Sequence, residues 1–139
     1  MTNFFSSNYK VIHLPTLSIT SANMEPINVK EFDGLIFTSA NAVRFLQLKN
    51  DEKNIKCFCV GNITERSLRL KGFTNTVAAS GTVNALKNII LNSEKKIKNL
   101  AYLCGDVVSY DLDKDLKLSG FKIKKIINYT SSKITNLNS

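Results

Sequence analysis

The 139-residue sequence lacks several features that define large classes of protein. It has no apolar run near the length of about 20 residues that spans a membrane, and its first ten residues lack the basic segment of a secretory signal. Three cysteines do not make a disulfide framework, and one histidine leaves the serines and cysteines without an identifiable general base. We therefore expect a cytoplasmic protein with no membrane partner, and covalent catalysis has no support.

Nucleotide-binding fingerprints are incomplete as well. Residues 61–64 (GNIT) lack the second and third glycines of a dinucleotide loop, and the motif G-x-x-x-x-G-K-[ST] does not occur. A receiver domain would carry carboxylates after its early strands, where this chain has Thr38 and Ser39. A nucleotide or flavin binder is therefore the weakest of the functions that we consider.

A metal site has equally little support in the sequence. Cys57 and Cys59 share one face of a predicted strand, because side chains repeat every second residue. A zinc site would have to recruit Cys104 and His13 from elsewhere in the chain. We interpret the thiols as small apolar side chains of a reduced protein and His13 as a strand or interface residue, so no metal is expected.

The charge balance is strongly basic, with 19 lysines and arginines against 11 acidic residues and a formal net charge of +8. The lysines are spread along predicted outer helix faces and are not interleaved with the aromatic residues that a stacking platform would need. This distribution indicates a solvated surface and no nucleic-acid partner. The excess could still attract an acidic small molecule.

One pattern recurs along the chain: a short apolar strand, then small polar residues, then a helix. Such alternation predicts right-handed crossovers and a parallel sheet that is covered on both faces. The expected fold is a three-layer α/β sandwich with a five-stranded parallel sheet of flavodoxin-like or Rossmann-like type. Strands are predicted near residues 35–38, 56–60, 75–78, 100–104 and 121–128, and helices near residues 40–49, 62–71, 82–93 and 107–118.

Two of these helices carry clear termination signals. Gly72 and Gly120 stand where a left-handed residue ends a helix, and each is followed by phenylalanine. Each helix also carries apolar residues that predict one buried face. They are Ile63, Leu68 and Leu70 in the first helix, and Val107, Leu112, Leu116 and Leu118 in the second.

The predicted topology brings four helix N-termini to one edge of the sheet, where anions are attracted. Helix capping is the better explanation of any one of the small polar residues at these strand ends, but their repetition at four strand ends indicates that the group could receive carboxylates or phosphates. Tyr129, at the end of the last strand, could donate a proton to a departing oxygen or simply pack at an interface. The binding candidates at the strand ends are Thr38, Ser39, Asn41, Gly61, Asn62, Thr64, Thr82 and Gly105.

In order, these motifs resemble the uroporphyrinogen-III synthase family. The matching segments are residues 36–43 (IFTSANAV), 60–64 (VGNIT), 72–73 (GF), 82–86 (TVNAL), 103–105 (LCG), 118–120 (LSG) and 127–129 (INY). Each motif alone is common where a strand leads into a helix or a helix ends. The ordered set spans nearly the whole chain and is moderately specific.

The resemblance implies a lyase that closes hydroxymethylbilane to uroporphyrinogen III in haem biosynthesis, with loss of water and inversion of ring D. It implies no metal or organic cofactor, because the protein mainly folds a labile substrate and prevents direct closure. The acetate and propionate groups of the substrate suit an edge rich in backbone donors. Tyr129 and Thr64 are the catalytic candidates on this interpretation, and an enzymatically silent tetrapyrrole- or partner-binding module is the chief alternative.

The resemblance also implies a division of the chain. Family members have two similar α/β domains joined by a two-stranded antiparallel connector, and the match here covers mainly one domain. We expect residues 1–32 to be a connector segment, residues 33–128 the α/β domain, and residues 129–139 the second connector strand and tail. Residues 10–19 and 126–130 should pair as an antiparallel ribbon, and a complementing domain or a second copy would supply the other half-site.

By analogy with the family, the five parallel strands should follow the order 3-2-1-4-5, counted from the strand that begins after Asp33.

Overall fold

The computed structural model describes residues 16–22, 25–49, 52–106 and 111–134. Strands and helices alternate through most of these residues, as the sequence pattern predicts. In chain order the elements are β1 (Thr16–Ser21), a 3₁₀ turn (Val29–Glu31), β2 (Gly34–Phe37), α1 (Ala40–Arg44), β3 (Lys56–Val60), α2 (Asn62–Leu70), β4 (Thr76–Ala79), α3 (Val83–Leu91), β5 (Asn99–Gly105), α4 (Leu112–Leu118) and β6 (Lys122–Ile134).

The described strands form one six-stranded sheet in the order β1-β6-β5-β2-β3-β4. The pairs β6·β5, β5·β2, β2·β3 and β3·β4 are parallel, and only β1 runs antiparallel, against β6. Counted from β2, the parallel strands have the order 3-2-1-4-5, so this prediction is confirmed. The fold class is confirmed too: the sheet is mixed and mostly parallel, with an antiparallel sixth strand.

Alternating side chains of the central strands feed two separate cores. Leu35 and Phe37 of β2 pack with α1 and α2 on one face of the sheet, whereas Ile36 packs with α3 and α4 on the other. Strand β3 divides in the same way, because Cys57 and Cys59 face α1 and Phe58 faces α3. The result is the expected three layers, which hold every strand end of the parallel sheet in a fixed position.

The two predicted helix terminators are confirmed. Gly72 has φ +104°, and the amides of Gly72 and Phe73 donate to the Arg69 and Leu68 carbonyls at 3.0 and 3.1 Å. Gly120 has φ +99°, and the same pair of bonds closes α4. Both helices therefore end in a Schellman motif, for which the left-handed residue is normally glycine.

The predicted apolar faces are wrong in part. In α2 only Leu68 of the three residues is buried, while Ile63 is 76% and Leu70 82% exposed. In α4, Leu112 and Leu116 are buried but Leu118 is 87% exposed. A helix turns about 100° per residue, so residues five or two positions apart point in different directions.

The predicted first helix is too long. α1 ends at Arg44, five residues before the predicted boundary, and no helix continues through residues 45–49. Leu48 pairs with Ile27 in a parallel bridge, and the Lys49 and Ile27 amides each donate at 2.8 Å across it. These two bonds take the place of a further turn of α1, because they pair the backbone of residues 47 and 49 with that of Ile27.

Strand β6 extends beyond its predicted end, through 13 residues to Ile134. Its first part pairs with β5 and its last part with β1, in a register that joins Ser21 to Tyr129 and Thr16 to Ile134. An antiparallel ribbon is therefore confirmed over the described residues, but its predicted bounds are wrong, because Ile126 and Ile127 pair with β5 and the partners of β1 are residues 129–134. Residues 10–15, including His13, and residues 107–110, including Val107, lie outside the described part of the chain.

Candidate functional site

A β-bulge in β6 directs the Tyr129 side chain toward α1. Residues pair in step from Lys122 to Ile127, but Gly105 then pairs with Tyr129, so Asn128 is the extra residue. Without this shift Tyr129 would point to the α3 face, since side chains alternate along a strand. With it, both Asn128 and Tyr129 face α1, as bulges commonly re-aim side chains.

Three contacts hold the half-buried Tyr129 ring at the carboxyl edge of the sheet. The phenol oxygen lies 2.9 Å from Ser39 Oγ, and either hydroxyl could be the donor. The ring stacks on Phe45, with centroids 6.2 Å apart. Its other boundary is the Gly105 backbone, where a Cβ atom would lie 2.6 Å from Cε2 and Cζ of the ring. Glycine at 105 is therefore what lets the phenol occupy this position.

Ser39 connects the phenol to the start of α1. It is the N-cap of that helix, and its Oγ accepts from the Ala42 amide at 3.3 Å. The capping interpretation of Ser39 is thus confirmed, and the same oxygen also reaches Tyr129. One hydroxyl group can accept from the amide and donate to the phenol at once.

A second phenol approaches the same turn from the opposite face of the sheet. Tyr102 of β5 is buried, and its hydroxyl lies 3.4 Å from Thr38 Oγ1. Burial raises the pKa of Tyr102, the Thr38 hydrogen bond partly opposes this, and the charges of Cys104 and Asp113 add to the increase. Tyr102 is therefore a neutral phenol that holds the Thr38–Ser39 turn from the face of the sheet that packs against α3 and α4.

All the remaining candidates except Asn41 follow β3 and β4, one and two strands further along the same edge. Gly61, with φ +83°, precedes α2, and Asn62 is the exposed first residue of that helix. Thr64 is buried in the same turn, with 5% of its surface exposed. Thr82 is exposed and caps α3 by accepting from the Ala85 amide at 3.1 Å. Asn41 lies half-buried in the first turn of α1.

The structure brings Ser39, Gly105 and Tyr129 into direct contact, with Thr38 beside them. Sequence reasoning missed the residues that hold this group: Phe45, Tyr102, Asp106 and Asn128. Asp106 binds Tyr129 and the ribbon, because its amide donates to the Tyr129 carbonyl at 3.2 Å and its Oδ1 accepts from the Ser131 amide at 3.0 Å. Only Asn128 left a signal, as a polar residue inside the apolar run that precedes Tyr129.

A cavity of about 430 Å³ lies away from the candidate site, and none of the candidate residues lines it. Its lining residues are Glu25, Pro26, Ile27, Asn28, Glu31, Phe32, Lys49, Lys124 and Ile126. Glutamates and lysines are mixed around that cavity, so it has no clear preference for an anion.

The three cysteines are free and buried in strands, as the sequence indicated. Cys104 lies on the other face of the sheet from Cys57 and Cys59. Among the described residues, no group of three or more histidine, cysteine or acidic side chains could hold a metal ion. Burial raises the pKa of Cys57 to about 12 and that of Cys59 and Cys104 to about 11.

These shifts predict that the protein loses stability in alkaline solution. An unfolded thiol ionises near pH 9, below the folded values, so the unfolded chain releases protons first. The free energy of unfolding should be unaffected by the thiols below pH 9 and should fall between pH 9 and about 12. Urea titrations at several pH values would measure this fall, which should be smaller in Cys57→Val. Parallel losses in the two proteins would contradict the assignment.

Comparison with known proteins identifies the family to which these features belong. The family model described as "Uroporphyrinogen-III synthase HemD" matches residues 4–139, nearly the whole chain. The chain belongs to the uroporphyrinogen-III synthase family. The resemblance seen in the sequence motifs is thereby confirmed.

The relatives that match this chain are about twice as long as the segment that they share with it. The crystal structure of uroporphyrinogen-III synthetase from Helicobacter pylori 26695 is 25% identical with a TM-score of 0.62, and the match covers 88% of this chain and 55% of that one. A "Doublecortin domain-containing protein" from Plasmodium falciparum (isolate 3D7) is 28% identical over 82% of this chain and 53% of its own length. The chain thus spans about half the length of the relatives it matches.

No helix within the described ranges is both long enough and apolar enough to cross a membrane.

Proposed function

We propose that this chain forms one wall of a uroporphyrinogen-III synthase active site. Its substrate would be hydroxymethylbilane, closed to uroporphyrinogen III with loss of water and inversion of ring D. The observation that carries the proposal is the hydrogen bond between Tyr129 and Ser39 at the carboxyl edge, in a chain of this family. Ligands of open parallel sheets bind outside that edge.

Tyr129 has the chemistry that the first step requires. The bond between the terminal carbon of the substrate and its hydroxyl oxygen must break, and the adjacent pyrrole supplies the electron pair that forms an azafulvene cation. A phenol can hydrogen-bond the departing oxygen and transfer its proton to it as the carbon–oxygen bond breaks, so that the oxygen leaves as water and a phenolate remains, which takes its proton back from solvent afterwards. When Ser39 donates to the phenol oxygen, the phenol proton is directed to the substrate.

The rest of the edge suits the carboxylates of the substrate. The amides at the N-termini of α2 and α3 face the carboxyl side of the sheet, beside Gly61 and Thr82. Helix N-termini favour negative charge, and the net charge of +8 attracts an acidic substrate over a longer range. Thr38, Asn41 and Asn62 are the further binding candidates in this arrangement.

The division of the chain forms part of the proposal. Residues 33–128 would be the α/β domain, and residues 1–32 and 129–139 the connector segments that lead to a second wall of the cleft. The half-length match to the relatives supports a complementing domain or a second copy as the partner that supplies that wall. A cytoplasmic location agrees with this reading.

The deciding experiment measures turnover of hydroxymethylbilane and separates the type I and type III isomers of the product. Spontaneous closure gives type I, so type III product above this background supports the proposal. Type I product alone, from a folded chain that binds the substrate and is tested both by itself and with a complementing domain, would favour the silent tetrapyrrole-binding module. A flavin binder would instead copurify with a coloured cofactor.

Thr64→Val tests whether the edge binds anions through side chains. The change keeps the shape of a buried residue in the first turn of α2 but removes its hydroxyl, so the fold should be retained. Loss of one hydrogen bond to a charged group should weaken binding of a carboxylate-rich tetrapyrrole by about 1.5–3 kcal/mol. The measurement is the dissociation constant at fixed salt concentration.

Ser67→Ala is the matched control for Thr64→Val. It removes a hydroxyl from the same helix, but one that donates to the Ile63 carbonyl at 3.1 Å. We expect binding by this variant to equal that of the unmodified chain. Equal affinity in Thr64→Val as well would remove Thr64 from the site.

A further inference from the structure

Asn128 is the one buried polar side chain beside the candidate site for which Tyr129 chemistry gives no role. It is the extra residue of the bulge, none of its surface is exposed, and its Nδ2 donates to the Ala42 carbonyl at 2.7 Å. Within the described residues, no donor lies within hydrogen-bond distance of its Oδ1. An unpaired buried oxygen is costly, so what this side chain contributes favourably is the hydrogen bond that its Nδ2 donates.

The acceptor that Asn128 satisfies exists because α1 is short. In a longer helix the Leu46 amide would bond to the Ala42 carbonyl, but here it donates to the Val43 carbonyl at 3.1 Å. The Ala42 carbonyl is thus one of the orphan acceptors of a helix end. The Asn128 amide caps it from the neighbouring strand.

Ala42 is also bonded through its amide, which donates to Ser39 Oγ at 3.3 Å. Ser39 Oγ in turn lies 2.9 Å from the Tyr129 hydroxyl. Three hydrogen bonds therefore link Tyr129 to Ser39, Ser39 to Ala42 and Ala42 to Asn128. The peptide bond between Asn128 and Tyr129 closes the ring. A change in the distance between the bulge and α1 would break at least one of these hydrogen bonds.

We propose that Asn128 is a positioning residue, which holds the Tyr129 hydroxyl at Ser39 by fixing the bulge of β6 against the first turn of α1. The amide does not touch the substrate; it acts through the phenol. The inference rests on the proposed function for its kinetic consequence, but its geometric part stands on the ring of hydrogen bonds alone.

The kinetic test is a double-mutant cycle between Asn128→Leu and Tyr129→Phe. Leucine has nearly the same volume as asparagine but cannot cap Ala42. If Asn128 acts through the phenol, Asn128→Leu should lower kcat for type III formation about 10-fold or more with little change in KM. The double variant should then be no slower than Tyr129→Phe alone, within about 2-fold, because coupled residues are not additive.

Asn92→Leu is the matched control, since the Asn92 amide donates to the Asn88 carbonyl at 2.8 Å at the end of α3. It removes the same kind of bond at the opposite end of the sheet and should leave the kinetics unchanged. Independent, multiplying losses from Asn128→Leu and Tyr129→Phe would overturn the proposal, as would an Asn128→Leu protein of normal activity.

A second measurement needs no activity. In protein labelled with 3-fluorotyrosine, the ¹⁹F signal that disappears in Tyr129→Phe belongs to Tyr129. That signal should move in Asn128→Leu toward its position in Ser39→Ala and stay in place in Asn92→Leu. An unmoved signal would overturn the geometric part, whereas a chain without type III activity but with a moved signal would refute only the proposed function.

Asn128→Thr covers the case in which leucine prevents folding. Threonine suits a strand, and its hydroxyl is too short to reach the Ala42 carbonyl. The same kinetic and ¹⁹F results are expected for it. Failure of both variants to fold would show that Asn128 is required for the structure as a whole and would overturn a specific positioning role.

Discussion

Replacement of Tyr129 by phenylalanine should slow formation of type III product by about 100-fold. A positioned acid typically contributes about 10² to 10⁴-fold, and a substrate that ionises readily belongs at the lower end. The ring would still stack on Phe45 and pack beside Gly105, so the fold should be unaffected. The only group lost is the hydroxyl that lies 2.9 Å from Ser39 Oγ.

The rate of type I closure is an internal reference for this experiment. It proceeds without the protein, so it should be equal for the two variants at equal folded fraction. An unchanged type III rate would reduce Tyr129 to a packing residue. Failure of the unmodified chain to form type III product, both alone and with a complementing domain, would point to the silent module instead.

Gly105→Ala should have the second large effect, on stability and activity together. Its Cβ would lie 2.6 Å from two atoms of the Tyr129 ring, and β5 cannot retreat because it is paired on both sides, with β2 and β6. The ring must leave its position. Overpacking of this kind costs about 1–3 kcal/mol of stability, and type III formation should fall at least as far as in Tyr129→Phe.

Gly34→Ala separates crowding from loss of the phenol. A Cβ at Gly34 would lie 2.9 Å from Leu100 Cδ2 and 3.2 Å from the Lys56 carbonyl oxygen, at the other end of the sheet. Urea unfolding should show comparable destabilisation in both variants. Activity at equal folded fraction should fall only in Gly105→Ala; an equal fall in both would attribute the loss to general strain.

The parallel pairing of the strands could be predicted from features that act along the chain, but their order could not. Alternation of strand and helix favours parallel pairing, whereas the order follows only from the family resemblance. Glycine before phenylalanine at residues 72 and 120 predicted two helix ends correctly, since the left-handed conformation is a property of single residues.

The predictions that failed depend on phase and on distant partners. The apolar pattern places Ile63 and Leu70 on one face with Leu68, yet the five residues from 63 to 68 turn the helix by about 140° from the starting direction. The end of α1 depends on Ile27, which competes for the backbone of residues 47–49 from far away in sequence. Neither effect is visible in local composition.

The candidate site was predicted as a set of strand ends, and its central contact was not. Ser39 and Tyr129 are 90 residues apart, and the bulge that joins them comes from a mismatch between two strands. Strict alternation of side chains along β6 would have placed the Tyr129 side chain on the face of the sheet opposite to α1. Only the pairing of Gly105 with Tyr129 reveals the correct one.

Strand β6 has a mechanical consequence for the chemistry of this edge. At 13 residues it is about 43 Å long, whereas most strands have five or six residues. Tyr129 stands at its eighth residue, where pairing with β5 ends and pairing with β1 begins. Tyr129 therefore lies between two hydrogen-bonded parts of the same strand. A side chain held in this way moves less than one at the tip of a loop.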